Sequence, residues 1–354
     1  MRVTHHLFKI FFTALILIFS IPLDSFSQLD TIRITTFQGG EKEYNEGIIQ
    51  FSNKDYAAAI KSFSDAIQLK PDFEQAWYNR GISKMETKDF KGAILDFGKT
   101  IELNPTSDKA YYYRAKSKFS ANDQPGAEND YTTAIRINPT HAQAYYGRGM
   151  IHFLNKEYKE AIGDYDNAIK YKVDFSYAYN DRAGAKRESG DYDGAIADYN
   201  TALIIDTDLG FIFNNLGSTK RKKGDYKGAI NAYTEAIDAK QEYYIAFNNR
   251  GSTKFDMGDY AAAIEDFNEA LKIKADYTYA LNNRAAAKFK LKDYKGAVED
   301  CDAAIKINDQ YGYAYLNRGI AKEMMRDKEG ACNDWHAAAS FGISAASDYL
   351  KECK

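Results

Sequence analysis

Residues 244–277 read YIAFNNRGSTKFDMGDYAAAIEDFNEALKIKADY, and this stretch decides the fold. Two segments with apolar residues at helical spacing, each roughly 11 to 14 residues long, flank the pair Gly258-Asp259. Such a pattern predicts two antiparallel helices joined by a tight turn, an αα-hairpin. The carboxylate of Asp259 can accept the free backbone N–H groups of the second helix.

The same pattern recurs every 34 residues along almost the whole chain. Each unit has a Gly or Ala at its eighth position: Gly47, Gly81, Ala115, Gly149, Ala183, Gly217, Gly251, Ala285 and Gly319. A fixed period of this size predicts a stacked array in which each unit buries its apolar face only against its neighbours. The predicted units are 40–73, 74–107, 108–141, 142–175, 176–209, 210–243, 244–277, 278–311 and 312–345.

Other positions of the unit repeat as well. An acid precedes each second helix and is expected to cap it: Asp55, Asp89, Asp123, Glu157, Asp191, Asp225, Asp259, Asp293 and Asp327. Position 20 is Ala in every unit, which lets two helices approach closely. Aromatic rows are predicted to fill the core, with Trp77, Tyr111, Tyr145, Tyr179, Phe213 and Phe247 on the first helices, and Phe63, Phe97, Tyr131, Tyr165, Tyr199, Tyr233 and Phe267 on the second.

These residues resemble the tetratricopeptide repeat family. The 34-residue length, the aromatics at positions 4 and 24, the small residues at 8, 20 and 27, and Pro71, Pro105 and Pro139 at position 32 carry the resemblance. It implies an all-α fold, a right-handed α-solenoid whose first helices line a concave groove. The chain departs from the family pattern in two ways, because position 7 is mostly Arg rather than Leu and the proline is lost after the third unit.

Arg at position 7 and Asp at position 23 occur together. Seven units carry both: Arg80 and Asp96, Arg114 and Asp130, Arg148 and Asp164, Arg182 and Asp198, Arg250 and Asp266, Arg284 and Asp300, Arg318 and Asp334. The first and sixth units lack both, with Glu46 and Ser62 or Leu216 and Ala232 instead. This joint loss favours a salt bridge within each hairpin. The alternative is that the Arg row forms a basic ligand-binding stripe.

The start of the chain predicts export. Residues 1–27 carry Arg2 and Lys9, an apolar run from Ile10 to Ile21, and Ser25-Phe26-Ser27 before Gln28, which is typical of a cleaved signal peptide. An uncleaved membrane anchor is the alternative, and no membrane segment is expected after cleavage. We therefore predict a bacterial periplasmic or secreted protein. Residues 28–39 show no helical period and are interpreted as a leader segment.

Charge argues against a nucleic-acid ligand. The chain has 47 basic and 50 acidic residues, and without residues 1–27 it has 45 and 49, because Arg2, Lys9 and Asp24 are removed. The basic residues are dispersed, whereas nucleic-acid binding needs a basic footprint.

The C-terminal residues are expected to close the array. Gly342 can end the last repeat helix, and residues 343–354 are predicted to form a capping helix. Cys332 and Cys353 could form a disulfide in an oxidising compartment, although the other pairings and no disulfide stay open. Cys301 replaces the aromatic residue at position 24, so a buried thiol is expected.

No catalytic, cofactor or metal-binding motif is present in the sequence. His141, His152 and His336 lie in different units, and the zinc-protease, nucleophile-elbow and phosphate-loop patterns are missing. We therefore expect a protein that is not an enzyme and needs no cofactor.

Two rows on the first helices are candidates for the partner-binding groove. Position 6 carries Asn45, Asn79, Asn215, Asn249, Asn283 and Asn317, and position 5 carries Tyr44, Tyr78, Tyr112 and Tyr146. An amide can bind a peptide main chain without reading its side chains. The Asn row is similar to the asparagine ladder of the N-acetylglucosamine transferase that acts on Ser and Thr. Alternatively, the Asn residues cap helices, face solvent or brace neighbouring hairpins, and the Tyr row continues the packing.

The sequence thus predicts a scaffold that binds an extended peptide or protein partner in its concave groove. A glycan-binding or envelope-polysaccharide accessory protein is the rival function, because exposed Tyr and Asn also suit sugars. An enzyme whose chemistry escapes motif recognition is a third alternative.

Overall fold

The computed structural model describes residues 39–206, 210–240 and 242–353. The predicted signal peptide, and the predicted leader up to residue 38, lie outside the described residues. All regular elements in the described part of the chain are helices: α1 (Glu41–Ser52), α2 (Tyr56–Leu69), α3 (Glu74–Glu86), α4 (Phe90–Leu103), α5 (Asp108–Ser120), α6 (Gln124–Ile137), α7 (Ala142–Leu154), α8 (Tyr158–Tyr171), α9 (Ser176–Glu188), α10 (Tyr192–Ile205), α11 (Gly210–Lys223), α12 (Tyr226–Ala239), α13 (Tyr244–Asp256), α14 (Tyr260–Ile273), α15 (Thr278–Lys290), α16 (Tyr294–Ile307), α17 (Gly312–Met324), α18 (Lys328–Ser340) and α19 (Ala346–Leu350).

The helices α1–α18 pair into antiparallel hairpins, one in each 34-residue unit. Each second helix packs between its own first helix and the first helix of the following hairpin. First helices of neighbouring hairpins also contact one another. These contacts join α3 to α5, α7 to α9, α9 to α11, α11 to α13, α13 to α15 and α15 to α17. The chain is therefore an α-solenoid, and its first helices lie side by side. The wall that they form is called the inner wall.

The hairpins close because a small residue on the first helix faces a ring on the second. A Cβ added to Gly251 would lie 2.8 Å from the ring of Phe267, and one on Gly47 would lie 2.6 Å from Phe63. Real Cβ atoms essentially never make contacts this short, so a larger residue at either position would force the facing ring to shift. The second-helix rings are buried, which confirms the core interpretation of that row. Cys301 is also fully buried, as expected.

Eight of the nine described hairpin turns combine a left-handed residue with a capping carboxylate. Gly258 has φ of +85°, and Asp259 accepts a hydrogen bond from the Ala262 N–H at 3.2 Å. Seven further Asp residues cap in the same way: Asp55, Asp89, Asp123, Asp191, Asp225, Asp293 and Asp327. The capping prediction is wrong for Glu157, whose longer side chain bonds His152 Nδ1 at 2.6 Å instead of the helix.

A short helix and a disulfide close the C-terminal end. Gly342 has φ of +82° and follows the end of α18. The closing helix α19 has five residues, so it is shorter than the predicted range 343–354. Tyr349 packs on Trp335 with ring centroids 5.1 Å apart, and Cys353 is bonded to Cys332. This segment covers the apolar face that the last repeat would otherwise expose.

Candidate partner-binding surface

The seven predicted Arg–Asp contacts are present inside the hairpins. Arg250 donates from Nε to Asp266 Oδ2 at 3.0 Å and from Nη2 to Oδ1 at 2.8 Å. The other pairs have the same two-pronged geometry: Arg80 with Asp96, Arg114 with Asp130, Arg148 with Asp164, Arg182 with Asp198, Arg284 with Asp300, and Arg318 with Asp334. All seven Asp residues are buried. Two bonds to one carboxylate fix the angle between the two helices of a hairpin.

The network extends beyond the predicted pair. Lys254, four residues after Arg250, also contacts Asp266 Oδ2 at 2.8 Å. Arg250 Nη1 donates to Thr234 Oγ1 of the preceding hairpin at 3.0 Å. Lysines four residues after the Arg occupy the same place in five other hairpins, and they are Lys84, Lys118, Lys186, Lys288 and Lys322. These contacts favour the structural interpretation of the Arg row over a basic ligand-binding stripe. The 34-residue spacing of these lysines is the sequence signal for this second cation beside each Asp.

Four of the candidate groove asparagines at position 6 donate to an asparagine at position 5 of the preceding first helix. Asn249 Nδ2 donates to Asn214 Oδ1 at 2.9 Å, and Asn283 Nδ2 donates to Asn248 Oδ1 at 3.0 Å. The Asn ladder continues with the same bond from Asn215 to Asn180 and from Asn317 to Asn282. Position 6 of one repeat thus donates to position 5 of the preceding repeat. These contacts favour the bracing interpretation over a row of amides open to a peptide.

The remaining members of the two candidate rows are also occupied by packing. Asn79 Nδ2 donates to Tyr44 Oη at 2.8 Å. The Asn45 side chain forms no hydrogen bond with another described residue. Tyr78, Tyr112 and Tyr146 pack against the second-helix rings Phe97, Tyr131 and Tyr165 with centroids 5.8 to 5.9 Å apart, and Tyr112 and Tyr146 are buried. The Tyr row therefore extends the core.

One acid interrupts the ladder in the fifth repeat. Asp181 occupies position 6, where it accepts a hydrogen bond from Tyr146 Oη at 2.7 Å and from Asn180 Nδ2 at 2.8 Å. Burial raises the pKa of Asp181 from 3.8 to about 6, although the two hydrogen bonds oppose the shift. Burial thus destabilises the charged carboxylate, and the two hydrogen bonds offset only part of this cost, whereas a neutral amide has no charge to desolvate.

We expect Asp181→Asn to stabilise the protein at neutral pH. The pKa of Asp181 is higher in the folded state, so its contribution to stability is greatest below pH 3.8, falls between pH 3.8 and about 6, and stays low above that. The variant should gain about 3 kcal/mol at pH 7.5 and lose most of this advantage near pH 4. Urea unfolding of both proteins across this range measures the difference. Asp65→Asn, at an exposed acid, is the control and should show no such trend. An equal difference at pH 4 and pH 7.5 would contradict the assignment.

An apolar row on the inner wall was missed in the sequence. Position 2 carries Tyr177, Phe211, Ile245, Tyr279 and Tyr313 in the last five repeats, here called the apolar stripe. The same position is polar in the first four repeats, with Glu41, Gln75, Lys109 and Gln143. The 34-residue spacing of the aromatic residues was the signal that could have revealed it.

Rings of the apolar stripe contact one another or neighbouring tyrosines. Tyr177 and Phe211 stack with centroids 6.3 Å apart, and Tyr279 meets Tyr311 at 5.6 Å. Tyr279 is 42% exposed. A run of partly exposed rings in one half of the inner wall is typical of a contact surface.

The described residues contain neither a metal-binding group nor a membrane-spanning helix. No group of His, Cys, Asp or Glu there could hold a metal ion. Helices long and apolar enough to cross a bilayer are likewise missing from the described part of the chain.

Solved structures with the same architecture support the fold. The chain is similar to a tetratricopeptide repeat protein from Parabacteroides merdae, with 20% identity, a TM-score of 0.58, and 69% of this chain and 98% of that chain covered. It is also similar to the APC/C Cut9–Hcn1 hetero-tetramer, with 15% identity, a TM-score of 0.54 and coverage of 88% and 76%. A third similar structure is that of Pseudomonas aeruginosa pilF. Its identity is 18% and its TM-score is 0.52, and the match covers 60% of this chain and 97% of that chain. At these identities the likeness shows the fold alone.

Family models give the same assignment from the sequence. Three models described as tetratricopeptide repeat match residues 44–108, 112–176, 212–243, 244–277 and 278–311. None of the curated proteins compared with the chain matches it. The matched ranges cover well over half of the chain and coincide with the observed hairpins. The chain therefore belongs to the tetratricopeptide repeat family.

Proposed function

We propose that this protein is a non-catalytic scaffold that binds a protein partner along its inner wall. Family members generally mediate protein–protein interaction, and the apolar stripe is the observation that supports a binding role for this chain. Its aromatic side chains supply large contact area at small conformational entropy cost, which is why such residues dominate interface energetics. The Asn ladder keeps neighbouring first helices in register, so the stripe lies on a pre-organised surface.

The proposal includes export. Residues 1–27 support it through their signal-peptide pattern, and the bond between Cys332 and Cys353 fits an oxidising compartment. The intact mass of the mature protein recovered from the periplasm or medium tests this part. A chain that starts at Gln28 is expected, whereas a cytosolic chain that retains Met1 would contradict it.

Site-directed photo-crosslinking tests the binding surface. We expect a benzoylphenylalanine residue in place of Tyr279 to capture a protein partner in living cells. The matched control is Leu95, which is 73% exposed on the second helix α4. Once identified, the partner should bind a Phe211→Ser/Tyr279→Ser variant at least ten-fold more weakly than wild type. Loss of two partly buried aromatic side chains at an interface should cost at least 1.4 kcal/mol, which corresponds to this factor.

Two outcomes would contradict the proposal. Equal capture from Leu95 and Tyr279 would mean that the inner wall is not the binding surface. Retention on envelope polysaccharide, with no crosslinked protein, would favour the glycan-binding alternative. Asn249→Ala/Asn283→Ala is unsuitable for this experiment because it removes buried hydrogen bonds and so alters folding along with binding.

A further inference from the structure

Two arginines interrupt a phenylalanine row on the inner wall. Position 12 carries Phe51, Phe119, Phe153, Phe255 and Phe289 in five repeats. The fifth and sixth repeats carry Arg187 and Arg221 there instead. Since the two arginines are 34 residues apart, they lie on adjacent first helices at the same height.

Each of these arginines is anchored by one nitrogen. Arg187 Nε donates to Glu188 Oε1 at 2.9 Å, and Arg221 Nε donates to Asp256 Oδ2 at 2.7 Å. Their side chains are only 20% and 16% exposed. No acceptor among the described residues hydrogen-bonds the terminal Nη groups of either side chain. The arginines of the hairpin network differ, because they use Nη2 together with Nε.

The wall beside these arginines is lined by small residues. Position 9 is Gly184 in the fifth repeat and Ser218 in the sixth. Small residues continue there with Ser252 and Ala286, whereas the other repeats carry Ile48, Ile82, Lys116, Met150 and Ile320. A Cβ added to Gly184 would meet no other atom closer than 3.8 Å. Positions 9 and 12 are three residues apart and therefore share a helix face. Position 9 therefore adds little side-chain bulk beside either arginine.

We propose that Arg187 and Arg221 bind a carboxylate of the protein partner, in an extended acidic segment whose apolar residues contact the apolar stripe. This inference rests on the function proposed above. The planar end of a guanidinium group matches a carboxylate in two hydrogen bonds. Positions 2 and 12 are about 15 Å apart along a helix. About five residues of extended chain span that distance.

The charge at this place suits one carboxylate. Arg187, Arg221 and Lys222 carry three positive charges, and Glu188 and Asp256 neutralise two of them. One positive charge is left for the ligand. A phosphoryl group carries more charge and would face repulsion from Glu188 and Asp256, so a carboxylate is favoured.

Peptide selection on the purified mature chain tests the inference. A random peptide library displayed on phage is selected separately on wild type, on Arg187→Phe/Arg221→Phe and on Phe211→Ser/Tyr279→Ser. The first double variant places in these repeats the residue that five other repeats carry, so it should fold with an unchanged thermal midpoint. We expect wild type to select peptides with Asp or Glu next to apolar residues. Arg187→Phe/Arg221→Phe should lose the acidic preference and keep the apolar one.

Synthetic peptides then identify the source of the carboxylate. A selected peptide should bind at least ten-fold more tightly than its Gln or Asn counterpart, and this difference should vanish in Arg187→Phe/Arg221→Phe. If amidation of the peptide C-terminus abolishes binding, the carboxylate that binds is that of a chain terminus. Inorganic phosphate at millimolar concentration should not compete with the peptide. Selected peptides without acidic residues would overturn this inference and leave the scaffold function intact. Failure of wild type to select any peptide would count against both.

Discussion

Replacing Asp266 with alanine is expected to lower the free energy of unfolding by on the order of 3 kcal/mol. The carboxylate is 3% exposed and faces two cations, Arg250 and Lys254. Its removal leaves both positive charges poorly solvated and near each other, so attraction is replaced by repulsion. Urea unfolding measures the loss, and amide hydrogen exchange in α13 and α14 shows whether it is local.

The sixth repeat supplies the control for this experiment. It has Leu216 and Ala232 in place of the pair and still contains Lys220. We therefore expect Arg250→Leu/Asp266→Ala to lie within about 1 kcal/mol of wild type, because a buried ion pair can be replaced by apolar residues at little cost. Equal losses in the single and the double variant would show that the hairpin does not depend on charge compensation.

Removing the disulfide with Cys332→Ser/Cys353→Ser should destabilise the C-terminal end by about 3 kcal/mol. The bond closes a loop with a sequence separation of 21 residues, and its loss gives the unfolded segment more conformational freedom. Thermal unfolding under non-reducing conditions should show a lower first transition. Reduction of wild type should have the same effect, whereas it should leave the variant unchanged.

Thiol titration gives a second measurement. In denaturant without reductant, one thiol per chain should react, from Cys301. In the folded protein none should react, because the Cys301 side chain is fully buried and burial raises the pKa of its thiol. Three reactive thiols in the denatured, unreduced chain would contradict the disulfide.

The second-helix core and the ion pairs were predictable from the sequence because they are set within one repeat. Gly251 and Phe267 must meet if the hairpin forms, and the joint absence of Arg and Asp from the first and sixth repeats identified Arg250 and Asp266 as partners. A repeat array contains many copies of the same hairpin. Correlated changes between two positions of the repeat can therefore be recognised within a single sequence.

Contacts between repeats were harder to predict. The Asn row looked like a peptide-binding surface because position 6 is on the groove side of a single helix. Only the stacking of first helices brings Asn249 of one repeat to Asn214 of the preceding repeat, 35 residues earlier. The same stacking leaves the apolar stripe partly exposed. Tyr279 is the most exposed of its side chains in the described residues.

By itself the sequence determined the repeat length, the hairpin, its caps and the pairs that stabilise it, because each depends on residues within about one unit. Tertiary structure alone decided which inner-wall side chains bond one another and which stay partly exposed. The distance and angle between successive first helices fix that division, and they arise from the packing of many repeats together rather than from any one of them.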